Sequence, residues 1–211
     1  MKISNTFWLC IIFALSGWAD SDEEGGGWVS LFDGNSIEDW RASESQGTFK
    51  VVDGVLVVKG DRSHLFYSGP VENHDFTDFE FQAEVMTRPG SNSGVYIHTI
   101  YQEEGWPAKG YEVQVNNSHS DKRKTGGLWG IDDNFKPFPD NEWFTLNIKV
   151  EGKHIITKVN GEVVTDYVEP DNPVREESLS GRLLTSGTIA IQGHDPGSEV
   201  HYRDIKIRPL K

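Results

Sequence analysis

The sequence has one cysteine, Cys10, in 211 residues, and this scarcity excludes a fold held together by disulfide bonds. It also lacks the run of about 20 apolar residues that a membrane-spanning helix needs, because its apolar segment 7–15 is too short. Basic residues are few, with 20 Lys and Arg against 33 Asp and Glu. That charge argues against nucleic acid and anionic lipid as partners. An acidic chain is compatible with neutral sugars or metal cations as ligands. The solubility that a secreted protein needs explains the charge equally well.

The first 19 residues are organised like a secretory signal peptide. Lys2 supplies the positive charge, 7–15 the apolar segment, and Gly17 and Ala19 the small residues before a cleavage site. We therefore expect export to a periplasm or the extracellular medium, without stable membrane insertion; an uncleaved N-terminal anchor is the alternative. Residues 20–27 are polar and glycine-rich and predict a flexible leader, followed by a single domain over residues 28–211.

No long segment repeats its apolar residues with the helical period of 3.6, and alternation of period two dominates instead. Asp53-Gly54 predicts a hairpin turn within 49–58, and Asn160-Gly161 one of the turns of a three-stranded meander over 143–168. Further strands are predicted at 79–86, 94–100, 111–115, 188–192 and 200–207. These elements predict an all-β, antiparallel sandwich or barrel. The long loops 102–110, 116–141 and 169–182 are candidates for function.

Three of these strands would place polar groups on a single face. Apolar residues alternate with Tyr96 and His98 in the first strand, with Glu112 and Gln114 in the second, and with Gln192 and His194 in the third, if no bulge intervenes. Amides and imidazoles hydrogen-bond sugar hydroxyls in both directions, so the set predicts a carbohydrate site. An ordinary solvated sheet face is the alternative. Trp106 and Trp129, in the long loops, offer flat rings for a sugar.

An ordered series of short motifs resembles one known family. The motifs are Trp28-Val29-Ser30-Leu31-Phe32-Asp33-Gly34 with Trp40, Asp78-Phe79-Glu80-Phe81, Asn92-Ser93-Gly94-Val95-Tyr96, Tyr111-Glu112-Val113-Gln114, Glu142-Trp143, Asn160-Gly161, Ile191-Gln192-Gly193-His194 and Tyr202-Arg203-Asp204-Ile205. The series resembles the DUF1080 family, also called the 3-keto-disaccharide hydrolase domain. The chain departs from the family pattern at His98, where arginine is common, at Asn116-Asn117, where an acid is usual, and at Asp204.

The resemblance implies a two-sheet antiparallel jelly roll of the concanavalin A-like lectin and glucanase type. It also implies carbohydrate substrates, specifically 3-keto-glycosides or 3-keto-disaccharides. Combined with the polar face, it gives the candidate substrate-binding residues Asn92, Tyr96, Gln114, Trp129, Gln192 and Arg203.

The chemistry expected of such a site differs from ordinary glycoside hydrolysis. Ordinary hydrolysis uses two carboxyl groups, whereas the strand Glu112-x-Gln114-x-Asn116 carries one acid. A 3-keto sugar needs one base to remove the acidified C2 hydrogen, and the enolate then expels the C1 oxygen. Glu112, His98 and His194 are the candidate catalytic residues.

The sequence leaves the cofactor and two further functions open. A divalent cation held by Glu112 and a histidine would stabilise the enolate, but no strong metal-ligand spacing is present. A non-catalytic carbohydrate-binding module and a structural or adhesion domain are the alternatives to an enzyme. Reacting groups separated by more than about 10 Å would favour the binding module, because catalysis needs them within reach of one substrate.

Overall fold

The computed structural model describes residues 27–210, so the predicted signal peptide and residues 20–26 of the predicted leader lie outside the described range. Fifteen strands make up almost all of the regular structure in this range. The strands are β1 Val29–Ser30, β2 Trp40–Ala42, β3 Phe49–Val52, β4 Val55–Lys59, β5 Ser63–Tyr67, β6 Phe79–Thr87, β7 Asn92–Thr99, β8 Tyr111–Asn116, β9 Lys124–Leu128, β10 Asp132–Asn134, β11 Phe144–Glu151, β12 His154–Val159, β13 Glu162–Val168, β14 Thr188–Gly193 and β15 Glu199–Pro209. Short 3₁₀ turns lie at Gln46–Thr48, Val71–His74 and Glu177–Leu179.

The strands form two antiparallel sheets, which confirms the predicted all-β jelly-roll sandwich. The back sheet runs in the order β13-β12-β11-β6-β15-β4-β3, with β1 added beside β15. The front sheet runs in the order β10-β9-β8-β7-β14-β5-β2. Within residues 27–210 there is no helix long and apolar enough to cross a bilayer.

The hairpins form where the turn dipeptides predict them. Asp53 and Gly54 have positive φ angles of 49° and 80°, as do Asn160 and Gly161 at 51° and 82°. Both φ angles of a type I′ turn are positive, and this turn matches the twist of the strands that it joins. The first pair joins β3 to β4, and the second joins β12 to β13 within the predicted meander.

The core lies between the two sheets and comes from the apolar half of each alternating strand. Val95, Ile97 and Val113 contribute from the front sheet, and Phe81 and Ile148 from the back sheet, all fully buried. Burying this surface is the main term that stabilises the fold. The same alternation turns the polar side chains of β7, β8 and β14 away from the core, toward the outer face of the front sheet.

Candidate active site

A cavity of about 430 Å³, here called the front cavity, opens on the outer face of the front sheet. Its volume falls within the range typical of small-molecule sites. The polar residues of its floor come from β7, β8 and β14, and its rim comes from the three loops predicted to be functional and from the loop that follows β14. The lining residues are Asn92, Tyr96, Glu112, Gln114 and Gln192 from the strands, and Trp106, Pro107, Ala108, Asp121, Trp129, Ser178, Leu179, Arg182 and His194 from the loops.

Glu112 lies on the floor of the front cavity, 6% exposed, with both carboxylate oxygens engaged. The Tyr96 hydroxyl donates to Oε2 at 2.8 Å, and Gln192 Nε2 donates to Oε1 at 2.8 Å. The guanidinium of Arg182 lies 3.9 Å from Oε2 and is held by the carbonyls of Pro107 and Gly110. Burial raises the pKa of Glu112 above its ordinary value, while these three neighbours oppose the rise. The site therefore holds a carboxyl group that is a stronger base than an exposed one.

The space for this carboxylate exists because β7 carries a glycine where it pairs with β8. Gly94 lies opposite Gln114, next to the Tyr96–Glu112 pair. A Cβ atom at position 94 would lie 2.8 Å from Glu112 Oε1, closer than van der Waals contact allows. Because Gly94 has no side chain, the carboxylate of Glu112 can lie over β7 at this position.

Side-chain amides provide the other polar groups of the floor. Gln114 Nε2 donates to Asn92 Oδ1 at 3.0 Å, which fixes both groups. The Oε1 atoms of Gln114 and Gln192 are buried and find no hydrogen-bond partner among the residues that the structure describes. Buried polar atoms are normally satisfied, so these two acceptors are unusual, and both belong to residues that line the front cavity.

His194 forms part of the rim, directly after β14. Its Nδ1 donates to Asp195 Oδ2 at 2.7 Å, and the same carboxylate accepts bonds from Ser198 Oγ and from the Gly197 N–H, both at 2.8 Å. Burial raises the pKa of Asp195, but these hydrogen bonds outweigh it and lower the pKa overall. Trp106 lies against the imidazole, with ring centroids 5.2 Å apart.

A second carboxylate, Asp121, lies in the rim of the front cavity. Its Oδ1 accepts a bond from the Arg123 N–H at 2.9 Å, and its Oδ2 lies 3.4 Å from Trp129 Nε1. Burial raises the pKa of Asp121, but the two hydrogen bonds and the charge of Arg123 lower it overall. The sequence argument considered only the acids along β8, so its prediction of a site with one acid does not describe the whole cavity.

His98 does not share the polar face of Tyr96, so this prediction from simple alternation is wrong. Between its pairs with Thr188 and Ala190 of β14, β7 has one residue more than its partner, and His98 has a positive φ of 54°. This β-bulge turns the imidazole away from the front cavity. Its Nε2 donates to Thr77 O at 2.8 Å, and its Nδ1 accepts from the Thr185 N–H at 3.2 Å. Both ring nitrogens are thus engaged by the backbone.

Arg203 also lies away from the front cavity, contrary to its assignment as a substrate-binding residue. It belongs to β15 of the back sheet, where it pairs with Glu84 of β6. Its guanidinium lies 4.0 Å from the ring centroid of Trp143, in a cation–π contact. Arg203 therefore contributes to the packing of the back sheet in this structure.

The structure adds Arg182, His119 and Asp195 to the residues selected from sequence. Arg182 is the last residue of the third long loop, which the sequence predicted to be functional. Its contact with Glu112 joins residues that are 70 positions apart in the sequence, so the sequence did not predict this contact. Among the described residues, His119, His194 and Asp195 form the only group of three or more such side chains whose nitrogen and carboxylate ligand atoms lie within 4.8 Å of one another. Glu112 is not a member, so this group differs from the cation site considered from sequence.

Several proteins of known structure are similar to this chain in fold. A protein of Parabacteroides distasonis, provisionally described as a glycosyl hydrolase, is 26% identical with a TM-score of 0.70, covering 87% of this chain and 100% of its own. A second such protein of that organism is 18% identical with a TM-score of 0.73, covering 88% and 94%. The carbohydrate-binding module CBM66 of Bacillus subtilis is 12% identical with a TM-score of 0.51, covering 86% and 95%.

A search of curated protein sequences found no match. The sequence profile of the 3-keto-alpha-glucoside-1,2-lyase-like domain matches residues 27–208, which is nearly the whole described chain. The resemblance seen in the motifs is thereby confirmed. The chain belongs to the family of 3-keto-alpha-glucoside-1,2-lyase-like domains.

Proposed function

We propose that the protein cleaves the glycosidic bond of sugars oxidised to a ketone at C3, using Glu112 as the base. The observation that carries this proposal is a buried carboxylate on the floor of a ligand-sized cavity, with both oxygens held by neutral donors. Membership in the 3-keto-alpha-glucoside-1,2-lyase-like family supports the substrate class. The unsatisfied amide oxygens of Gln114 and Gln192 are buried, and after a rotation of either side chain they would accept hydrogen bonds from sugar hydroxyls.

The proposed reaction is an elimination. Glu112 removes the proton from C2, whose acidity the neighbouring ketone raises, and the C–H electron pair forms the C2–C3 double bond of an enolate. When the enolate re-forms the C3 ketone, the electrons of the C2–C3 double bond move to form a C1–C2 double bond. The C1–oxygen bond breaks at the same time, and its electron pair leaves with the oxygen. The departing oxygen takes up a proton, so no oxidant or co-reactant is consumed. Water then adds across the C1–C2 double bond when the overall reaction is hydrolysis.

The surroundings of Glu112 fit a general base. Burial raises its pKa, which makes the ionised carboxylate a better proton acceptor. The nearby charge of Arg182 and the hydrogen bonds from Tyr96 and Gln192 counteract the rise, because each stabilises the ionised form. Arg182 would also attract the negative charge that develops on the enolate.

The test compares a 3-keto-glycoside with the same glycoside before oxidation. The wild-type chain should release the aglycone from the 3-keto-glycoside and leave the unoxidised one intact. Glu112→Gln keeps the shape of the side chain and should lower kcat by about 10²- to 10⁴-fold, the usual contribution of a general base. The matched control is Glu162→Gln, at an exposed acid of β13, which should retain wild-type turnover. Full activity of the Glu112→Gln variant would remove Glu112 from the mechanism.

An ordinary two-carboxylate glycosidase is a second candidate, because Asp121 lies in the same cavity as Glu112. Such an enzyme would cleave unoxidised glycosides, and Asp121→Asn would abolish that activity. The elimination proposed above does not need the Asp121 carboxylate. If the wild type prefers the unoxidised glycoside and Asp121→Asn loses this activity, the two-carboxylate mechanism is supported and the elimination is rejected.

A non-catalytic carbohydrate-binding module remains the third candidate. In its favour, only two of the three predicted catalytic residues, Glu112 and His194, line the front cavity. Calorimetric binding of sugars without release of product from any oxidised or unoxidised glycoside would establish this role.

We also propose that the chain is exported through its N-terminal 19 residues. The N-terminal sequence of protein recovered from a bacterial host identifies the cleavage site. A mature chain that begins at Asp20 is expected, and an intact Met1 would contradict export by cleavage.

A further inference from the structure

Two histidines and one aspartate meet at the mouth of the front cavity. His119 lies in the loop after β8, and His194 and Asp195 follow β14 directly. One ligand atom from each of the three lies within 4.8 Å of the others, and all three residues are partly buried. The rings of His119 and His194 have centroids 5.4 Å apart. The fold thus gathers, from two separate segments, donors that a metal ion can share.

We propose that His119, His194 and Asp195 bind a divalent transition-metal ion. Two imidazoles and one carboxylate form a ligand set typical of Zn²⁺ and other first-row metals, and sites with three protein ligands leave a coordination position for another molecule. Ligands about 2.0–2.1 Å from a tetrahedral zinc lie roughly 3.3 Å from one another. The spread of up to 4.8 Å therefore requires only small side-chain movements.

Hydrogen bonds from neighbouring groups position both Asp195 and His119. Asp195 receives bonds of 2.8 Å from Ser198 Oγ and from the Gly197 N–H, so its carboxylate is fixed from behind. Such outer contacts to ligating carboxylates are usual in metal sites. His119 is held through Nδ1 by the Asp121 N–H at 3.1 Å and by Asn92 Nδ2 at 3.4 Å. The Asp121 bond is of ordinary length and the Asn92 contact is long, so a cation at Nδ1 would compete chiefly with the Asp121 N–H.

The position of the site gives the metal a role in the chemistry proposed above, and this role rests on the proposed function. His194 lines the front cavity, and Asn92 both lines it and contacts His119. A metal held by these residues would lie at the edge of the space that a sugar would occupy. There it would supply a Lewis acid that stabilises negative charge on a substrate oxygen. The formal charge of −13 on the chain also favours a cation over an anion.

Metal binding is measured on the whole chain without substrate, after removal of bound metal with EDTA. Zn²⁺ is titrated by calorimetry, and Co²⁺ by its visible absorption, which reports the ligand geometry. The wild-type chain should bind one ion. His119→Ala, His194→Ala and Asp195→Ala should each weaken binding at least tenfold. The matched control is His154→Ala, because His154 forms an exposed pair with Asp166, at 2.5 Å, without a third ligand. That variant should bind like the wild type.

Equal affinity in the wild-type chain and the three ligand variants, or an equal loss in His154→Ala, overturns the metal site. Thermal melts show whether each variant is folded, and the Co²⁺ spectrum of the wild type supplies a readout that does not depend on any variant. Turnover of a 3-keto-glycoside by wild type and Glu112→Gln is measured in parallel. One bound ion with full activity of Glu112→Gln rejects the proposed base and keeps the metal site. If no ion binds specifically and the Glu112→Gln variant is inactive, the metal site is rejected and the proposed base is kept.

Discussion

His64 lies in β5 beneath Trp106, in surroundings that penalise its protonation. The ring is fully buried, and neither nitrogen has a hydrogen-bond partner among the described residues. Trp106 and Tyr96 lie against it edge to face, with ring centroids 5.5 and 5.4 Å away. Burial is the main cause that lowers the pKa of His64 from 6.5 to about 3.

The lowered pKa makes the stability of the fold depend on pH in a predictable direction. Between pH 6.5 and about 3 the unfolded chain binds a proton at His64 that the folded chain does not. The contribution to stability is therefore complete above pH 6.5 and falls as the pH falls through this window. Each pH unit corresponds to about 1.4 kcal/mol, so the loss attributable to His64 between pH 7 and 5 is about 2 kcal/mol.

The test replaces His64 with leucine, which cannot titrate and has a similar volume. Denaturant unfolding at pH 7 and pH 5 gives the free energy of unfolding of the wild type and of His64→Leu. The wild type should lose about 2 kcal/mol more than the variant between these pH values, because all other groups titrate alike in both chains. His154→Leu, at an exposed ring, should behave like the wild type. Equal losses in wild type and His64→Leu would refute the reasoning.

Three other substitutions test the site. Gly94→Ala would place a Cβ atom 2.8 Å from Glu112 Oε1 and should lower kcat/KM at least tenfold with little change in Tm; unchanged kcat/KM would show that Glu112 tolerates displacement. Tyr96→Phe removes a donor that lowers the pKa of Glu112, so the acidic limb of the pH–rate profile should move to higher pH, and a shift to lower pH would contradict this assignment. Arg203→Ala loses only a stack on Trp143 in the back sheet, so kcat/KM should stay within about twofold of wild type while Tm falls slightly; a tenfold loss of activity would restore Arg203 as a substrate contact.

Much of the fold could be predicted because its signals are local. Turn dipeptides and period-two alternation located both hairpin systems and the polar strands β7, β8 and β14. The strand β5 was missed because it does not alternate: the loop that carries Trp106 covers one face and the core covers the other, so all five residues are buried. The strand β9, with Gly126 and Gly127, lacks the apolar pattern altogether. Both strands depend on contacts with distant segments.

The sequence also predicted only part of the site correctly. Alternation correctly grouped Tyr96, Glu112, Gln114 and Gln192, whose strands are neighbours in the front sheet. It failed at His98 because one extra residue in β7 reverses the faces beyond it, and a bulge of this kind has no reliable sequence signal.

Residues on the rim depend on loop conformation, which alternation does not describe. Arg182 and Asp121 reach the front cavity from loops whose paths are set by hydrogen bonds to distant backbone groups and by turns within the loop. The sequence predicted that these loops are functional, but it did not predict which of their side chains enter the cavity.

The most direct measurement uses a 3-keto-glycoside with deuterium at C2 and a coloured aglycone. Removal of the C2 proton by Glu112 predicts that the released sugar has lost its deuterium and that the wild type cleaves this substrate while leaving the unoxidised glycoside intact. Glu112→Gln should show neither exchange nor release. Release of the aglycone with all of the deuterium retained at C2, or comparable cleavage of the unoxidised glycoside, would contradict the elimination.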